Sequence, residues 1–129
     1  MKRNSAVAAV AVMSLVGTAA WAGYDVGYLV QVDTVNRTAS GTMATVRASA
    51  DTLQYINCNI RTNGAGLIMN CQARDANGVS VGCSSTAQNF IQLVGMIQSD
   101  SHVSFKWDAA SACTSLSVDN GSQFAPKTP

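Results

Sequence analysis

Four cysteines in a chain that opens on an export signal constrain this sequence more than any other feature. Residues 1–22 begin with a basic pair, continue through a small apolar run and end in Ala20-Trp21-Ala22. A charged start, an apolar middle and a small-residue cut site are typical of a secretory signal peptide. We therefore predict cleavage near Gly23 and folding in a compartment where thiols oxidise.

The apolar run of the leader, residues 6–16, is shorter than the roughly 20 residues that a membrane-spanning helix needs. A cut site follows it, and no cysteine stands beside that site to accept a lipid. We therefore expect no integral membrane segment after cleavage, a retained anchor being the alternative. The Ala- and Val-rich leader is typical of a bacterial exporter, so the product is expected to be periplasmic or secreted.

Cleavage at this site leaves 107 residues, enough for one domain and too few for two. We assign residues 23–125 to a single disulfide-stabilised β-rich domain and residues 126–129 to a C-terminal tail. Six Lys or Arg and seven Asp are scattered along this part, so its formal charge is −1. It carries neither a basic footprint for nucleic acid nor a polybasic membrane patch.

Short alternating segments separated by Gly, Asn and Ser predict antiparallel strands. A strand is expected at residues 26–33 and another at 42–48, with a loop at 36–41 between them. Residues 103–107 alternate most clearly, with Phe105 and Trp107 facing inward, and residues 114–118 make the last strand.

Two further hairpins can be placed in register. A loop at residues 63–66 sets Cys58 opposite Cys71, so that inward residues meet inward residues along both strands. A bulged three-residue turn at 75–78, with Gly78 in the left-handed region, then sets Cys71 opposite Cys83.

After Cys83 the spacing of apolar residues changes to that of an amphipathic helix. Ser85 and Gln88 have the form of a capping box at its start. The predicted fold is therefore α+β and mainly β, with an antiparallel sheet or sandwich of about seven strands, one helix at about residues 86–98, and two disulfides.

Four cysteines allow three disulfide pairings. Cys71 lies on a strand between those of Cys58 and Cys83, so it can bond only one of them. We favour Cys58–Cys71 with Cys83–Cys113, and Cys71–Cys83 with Cys58–Cys113 is the rival. A zinc site is disfavoured because the spacings contain no C-x-x-C knuckle.

His102 is the only histidine of the chain. It falls on the outward face of its predicted strand, and neighbouring strand residues point to opposite faces. Adjacency therefore does not make Asp100-Ser101-His102 a catalytic triad. We predict an exposed strand histidine and no catalytic residue.

Aspartates supply all the carboxylate side chains of the chain. Asp75, Asp108 and Asp119 lie in turns or at strand ends, where Asp bonds its own backbone. The turn at 75–78 lacks the third oxygen ligand and the closing Glu of a calcium loop. We therefore predict no metal site, no cofactor and no enzymatic activity.

Several short motifs carry a resemblance to a family. They are Tyr55-Ile56-x-Cys58, Cys71-x-Ala73-Arg74-Asp75-Ala76-x-Gly78, Phe105-x-Trp107-Asp108, Cys113 and Leu116-Ser117-Val118. With these motifs, about two-thirds of the mature chain resembles a group of small, exported, four-cysteine bacterial proteins. The resemblance implies a single domain with two disulfides, and it implies no activity, substrate or catalytic residue.

The sequence favours a small, rigid, exported, non-enzymatic binding domain whose partner is a protein or an envelope component. One alternative is an inhibitor of an envelope lysozyme or protease, with the loop at 36–41 or 63–66 entering a cleft. Another is a structural subunit that assembles through its edge strands. A small hydrolase with His102 as its base is the least favoured.

Overall fold

A computed structural model, which describes residues 23–126, contains two antiparallel sheets. The predicted signal peptide at residues 1–22 and residues 127–129 of the predicted tail lie outside the described residues. Within residues 23–126, no helix is both long and apolar enough to cross a membrane.

Seven strands and two short helices make up the described part. The strands are β1 (Gln31–Asp33), β2 (Thr38–Thr42), β3 (Tyr55–Thr62), β4 (Leu67–Arg74), β5 (Ser80–Ser85), β6 (His102–Trp107) and β7 (Cys113–Asp119). The helices are α1 (Met43–Arg47) and α2 (Gln88–Val94), with a 3-10 turn at Ser122–Phe124. The first sheet has the order β1-β2-β6-β7 and the second the order β3-β4-β5. The predicted mainly-β class is confirmed.

Both predicted hairpins of the second sheet are confirmed in register. Cys58 lies opposite Cys71, and Cys71 lies opposite Cys83. Gly78 has a φ of 83°, the left-handed conformation expected for the bulged turn. The turns therefore fix a register that places apolar residues on one face of all three strands.

The core is one cluster of side chains drawn from both sheets. Its fully buried members include Met69, Cys71, Ala73, Val103 and Phe105. The helix α2 adds its two buried residues, Ile91 and Val94, to the same cluster. Burial of this apolar surface is the main force that holds the sheets together.

The loop predicted at residues 36–41 and the strand predicted at 42–48 are both wrong. The carboxylate of Asp33 accepts the N–H groups of Val35 and Asn36, closing a tight turn earlier than predicted, so β2 already begins at Thr38. Thr42 then pairs with the first residue of β6. Beyond this point β2 has no partner strand, and the chain coils into α1 instead.

Most of the strand predicted at residues 26–33 is also absent, since β1 includes only its last three residues. The preceding residues are bonded to β2 at one point, where the N–H of Thr42 donates to the carbonyl of Tyr28 at 2.8 Å. Gly27 lies so close to α1 that a Cβ there would overlap the side chain of Thr45. The segment before β1 is therefore packed against α1 at this position.

The helix predicted at about residues 86–98 is shorter, and its predicted capping box is wrong. Ser85 ends β5, and its hydroxyl accepts the N–H of Ala87 at 3.1 Å. Ala87 is the extended N-cap residue and makes no side-chain capping bond. Gly95, which has a low helix propensity, stands at the C-cap. The helix is thus confined to seven residues.

Candidate functional site

The two disulfides are Cys58–Cys71 and Cys83–Cys113, the favoured pairing. The first joins neighbouring strands of one hairpin, with a Cα–Cα distance of 4.0 Å. The second joins β5 to the start of β7 and so ties the two sheets together, with a Cα–Cα distance of 5.0 Å. The Sγ of Cys113 lies 3.7 Å from the Sδ of Met69 in the core. Two such bridges indicate folding in an oxidising compartment.

His102 is not the exposed strand residue that the alternation predicts. Its ring is stacked on Phe124, with centroids 5.1 Å apart, and meets Tyr28 edge-on at 5.3 Å. These two aromatic rings come from the segments at the two ends of the described chain. They cover the outward face of the first sheet at this point, and strand alternation carries no information about such coverage.

A hydrogen bond joins the ring of His102 to β2. The Oγ1 of Thr42 lies 3.0 Å from its Nδ1 and also accepts the N–H of Tyr28 at 3.1 Å. A hydroxyl can donate one hydrogen bond and accept two, so this contact is compatible with either neutral tautomer of the His102 ring. Burial lowers the pKa of His102 below its ordinary value, while the Asp119 carboxylate acts to raise it.

Asp100, Ser101 and His102 have three different sets of partners, so the structure does not bring them together as a triad. Asp100 pairs with Arg47 at 3.3 Å on the surface. Ser101 is fully buried, and its hydroxyl accepts the N–H of Gln98 and bonds Asn120. Ser101 therefore closes the turn before β6 and is not available to His102.

We expect His102 to make stability depend on pH between about 7.5 and 5. A lowered pKa means that the unfolded chain binds the proton more tightly than the folded chain does. The stabilisation is therefore complete above the unfolded-state pKa of about 6.5 and is lost as the pH falls from there toward the lower folded-state pKa. Urea unfolding at the two ends of this range measures the effect.

His102→Asn is the control, because its amide can hydrogen-bond Thr42 in place of Nδ1 and does not titrate. The variant is expected to show a much smaller change in unfolding free energy over the same range. An equal change in both proteins would contradict the assignment of the effect to His102.

The second sheet turns a polar surface outward, which we name the polar face. It consists of the outward side chains of β3, β4 and β5: Tyr55, Asn57, Asn59, Arg61, Ile68, Asn70, Gln72, Arg74, Ser80, Gly82 and Ser84. Two of these residues are cationic, four carry side-chain amides, and none is a carboxylate. Along the strands, from Arg61 at one end to the level of Arg74 at the other, the polar face is about 20 Å long.

One end of the polar face is a row of three side chains, one from each strand. Tyr55 lies opposite Arg74, and Arg74 lies opposite Ser80. The Nε of Arg74 donates to the Ser80 hydroxyl at 2.9 Å, and its guanidinium carbon lies 5.9 Å from the centroid of the Tyr55 ring. Both contacts hold the guanidinium in place, and they leave its two NH2 groups available to a ligand.

Two amides in the middle of the polar face each carry a buried atom without a hydrogen-bond partner. Asn59 and Asn70 lie opposite each other. Within the part of the chain that the structure describes, the Oδ1 of Asn59 and the Nδ2 of Asn70 have no partner, and both atoms are buried from solvent. Next to them, Gly82 leaves a shallow depression that is bordered by Asn70, Gln72, Ser84 and Ser111.

Sequence patterns identify the outward residues of β3 and β4 but do not by themselves combine them into a site. The sequence does indicate which residues adjoin, since the two predicted registers already place Tyr55, Arg74 and Ser80 in one row. What the sequence does not contain is the geometry of the Arg74 contacts. No protein-family model, curated protein or solved structure matches this chain.

Proposed function

We propose that the chain is an exported, non-enzymatic binding domain whose polar face holds an acidic polysaccharide of the cell envelope or its surroundings. The observation that carries this proposal is the row in which Arg74 is fixed by Tyr55 and Ser80. A charged donor that is already held in position loses little conformational entropy when it binds a carboxylate.

The charges of the polar face favour an anionic ligand. Arg61 and Arg74 stand at its two ends, and no outward residue of the three strands carries a negative charge. The nearest carboxylate along the chain, that of Asp75, is bonded to the N–H groups of its own turn. An extended molecule with repeated negative charges therefore matches the spacing of the two cations.

The amides between the cations favour a sugar polymer over other anions. A side-chain amide both donates and accepts hydrogen bonds, as sugar hydroxyls do. Asn57, Asn59, Asn70 and Gln72 form two adjacent cross-strand pairs, and the Cys58–Cys71 bridge lies directly behind them. A polar surface on such a rigid hairpin is suited to binding in one conformation.

Export to the periplasm or the outside is part of the same proposal. It is supported by the leader pattern at residues 1–22 and by the two disulfides, which need an oxidising compartment to form. An acidic polysaccharide of the envelope would be met in that compartment.

Binding of oligogalacturonate by the purified, oxidised chain tests the proposal, with calorimetry as the readout. Arg74→Gln is expected to weaken binding by about tenfold or more, because a charge-assisted hydrogen bond contributes roughly 1.5–3 kcal/mol. Arg47→Gln is the matched control, since it removes the same charge at an exposed site outside the polar face. Neutral dextran should not bind.

The outcomes separate a site from general charge attraction. Loss of affinity in Arg74→Gln alone supports the polar face as the site. Equal losses in both variants would show that only net charge matters, and a wild-type chain that binds no oligogalacturonate would refute the proposed ligand.

A further inference from the structure

The strand β3 forms an open edge of the second sheet. It has eight residues, Tyr55–Thr62, and it pairs with β4 on one side only. Its neighbours inside the molecule, α1 and α2, pack near it without adding a strand. The backbone of β3 therefore has one side that no described strand occupies.

The register between β3 and β4 determines which backbone groups of β3 face that open side. Directly opposed residues of an antiparallel pair alternate between hydrogen-bonded pairs, with Cα atoms about 5.5 Å apart, and non-bonded pairs at about 4.5 Å. Cys58 and Cys71 have a Cα–Cα distance of 4.0 Å, so theirs is a non-bonded pair. The N–H and C=O groups of Cys58, and by alternation those of Ile56 and Ile60, therefore point away from β4.

These backbone groups have no partner among residues 23–126. Proteins usually protect such an edge with charged side chains, proline, an inward charge or a bulge. Apart from Arg61 near its end, the strand β3 has none of these, and its inward residues Ile56, Cys58 and Ile60 are apolar. Ile60 is 38% exposed at this edge, and Tyr55 is 37% exposed.

We propose that two copies of the chain pair through β3, antiparallel and about a two-fold axis at Cys58. In this register Ile56 lies opposite Ile60 of the partner subunit, which covers the exposed isoleucine. Tyr55 lies opposite Arg61 of the partner subunit, a cation next to an aromatic ring. Each contact occurs twice, as a two-fold interface requires.

Self-complementarity is what identifies a second copy as the occupant of the edge. Sliding the partner by two residues would place Tyr55 opposite Asn59 or Asn63, and the match with Arg61 would be lost. Sliding it by one residue would turn its apolar side chains to the polar face. The proposed register is thus the one that satisfies the inward and outward side chains together.

Pairing in this way produces one continuous sheet of six strands. Because the two-fold axis is perpendicular to the sheet, both polar faces lie on the same side and adjoin. The dimer does not depend on the proposed ligand, and a monomeric chain could still bind it with a single face.

Sedimentation equilibrium of the oxidised chain over a wide concentration range tests the pairing. The wild type is expected to reach twice the monomer mass at high concentration. Ile60→Pro removes an N–H that faces the open edge and spares the β4 ladder, so it should raise the dimer dissociation constant at least about tenfold. Circular dichroism establishes whether this variant is folded.

Arg61→Glu provides a second variant that leaves the backbone intact. It should weaken the dimer, whereas Arg37→Glu, with the same charge change in the turn between β1 and β2, should not. A wild type that stays monomeric throughout, or a dimer that neither Ile60→Pro nor Arg61→Glu weakens, would overturn the proposal.

Discussion

Removal of the Cys83–Cys113 bridge is expected to lower the free energy of unfolding by about 3.6 kcal/mol. The two cysteines are 30 residues apart in the sequence, and closing a loop of that length in the unfolded chain removes conformational entropy of this order. The bridge also joins the two sheets next to Met69 in the core. Loss of the bridge should therefore weaken the contact between the sheets and also raise the conformational entropy of the unfolded chain.

The Cys58–Cys71 bridge is the internal comparison. Its cysteines are 13 residues apart, so the same entropy argument gives about 2.9 kcal/mol. The hairpin that it spans is also held by pairing along eight residues of each strand. We therefore expect the double variant Cys83→Ala/Cys113→Ala to be the less stable of the two.

Urea unfolding of both double variants, purified without reductant, measures this difference. If Cys58→Ala/Cys71→Ala proved the more destabilised protein, the inter-sheet bridge would not be the dominant covalent restraint. Hydrogen exchange would locate the effect, since amides of β5 and β7 should lose protection in the Cys83→Ala/Cys113→Ala variant.

The parts of the fold that could be predicted are those that local chemistry determines. In the second sheet, alternation with a period of two and the turns at 63–66 and 75–78 leave one register that keeps apolar residues together. That register places Cys71 beside Cys58 and Cys83, so the sequence pattern alone narrows the disulfide alternatives. The register does not by itself choose between Cys58 and Cys83 as the partner of Cys71, and the structure confirms the favoured pairing.

The predictions that are wrong depend on distant parts of the chain. Residues 42–48 alternate well enough for a strand, but β6 begins opposite Thr42, so no partner continues beyond it. The partial burial of His102 arises from Tyr28 and Phe124, which are 74 and 22 residues away in the sequence. Tertiary context of this kind overrides a local pattern.

The polar face lies between these two cases. Its residues follow from alternation, and their rows follow from the two registers. The position of the Arg74 guanidinium cannot be derived from alternation or register, because a long side chain can take many rotamers. Only the contacts with Tyr55 and Ser80 select one of them. Sequence patterns can thus find a candidate surface, whereas the contacts that make it rigid depend on the folded arrangement of all three strands.

Phe105→Ala is expected to destabilise the protein by about 3–5 kcal/mol, the usual cost of removing a buried aromatic ring. Phe105 is 0% exposed, and its ring lies 5.8 Å from that of Trp107. It stands on β6, a central strand of the first sheet, and belongs to the cluster that joins both sheets. The cavity would therefore lie within the core that the two sheets share.

Leu116→Ala is the matched control. Leu116 lies directly opposite Phe105 on β7 and is only partly buried against the same core, so its truncation should cost clearly less. Urea unfolding of the two variants gives the comparison. A larger loss of stability in Phe105→Ala would place the centre of the core at the inner face of β6. Equal losses in the two variants would mean that the core is centred nearer to β7 than the burial of Phe105 indicates.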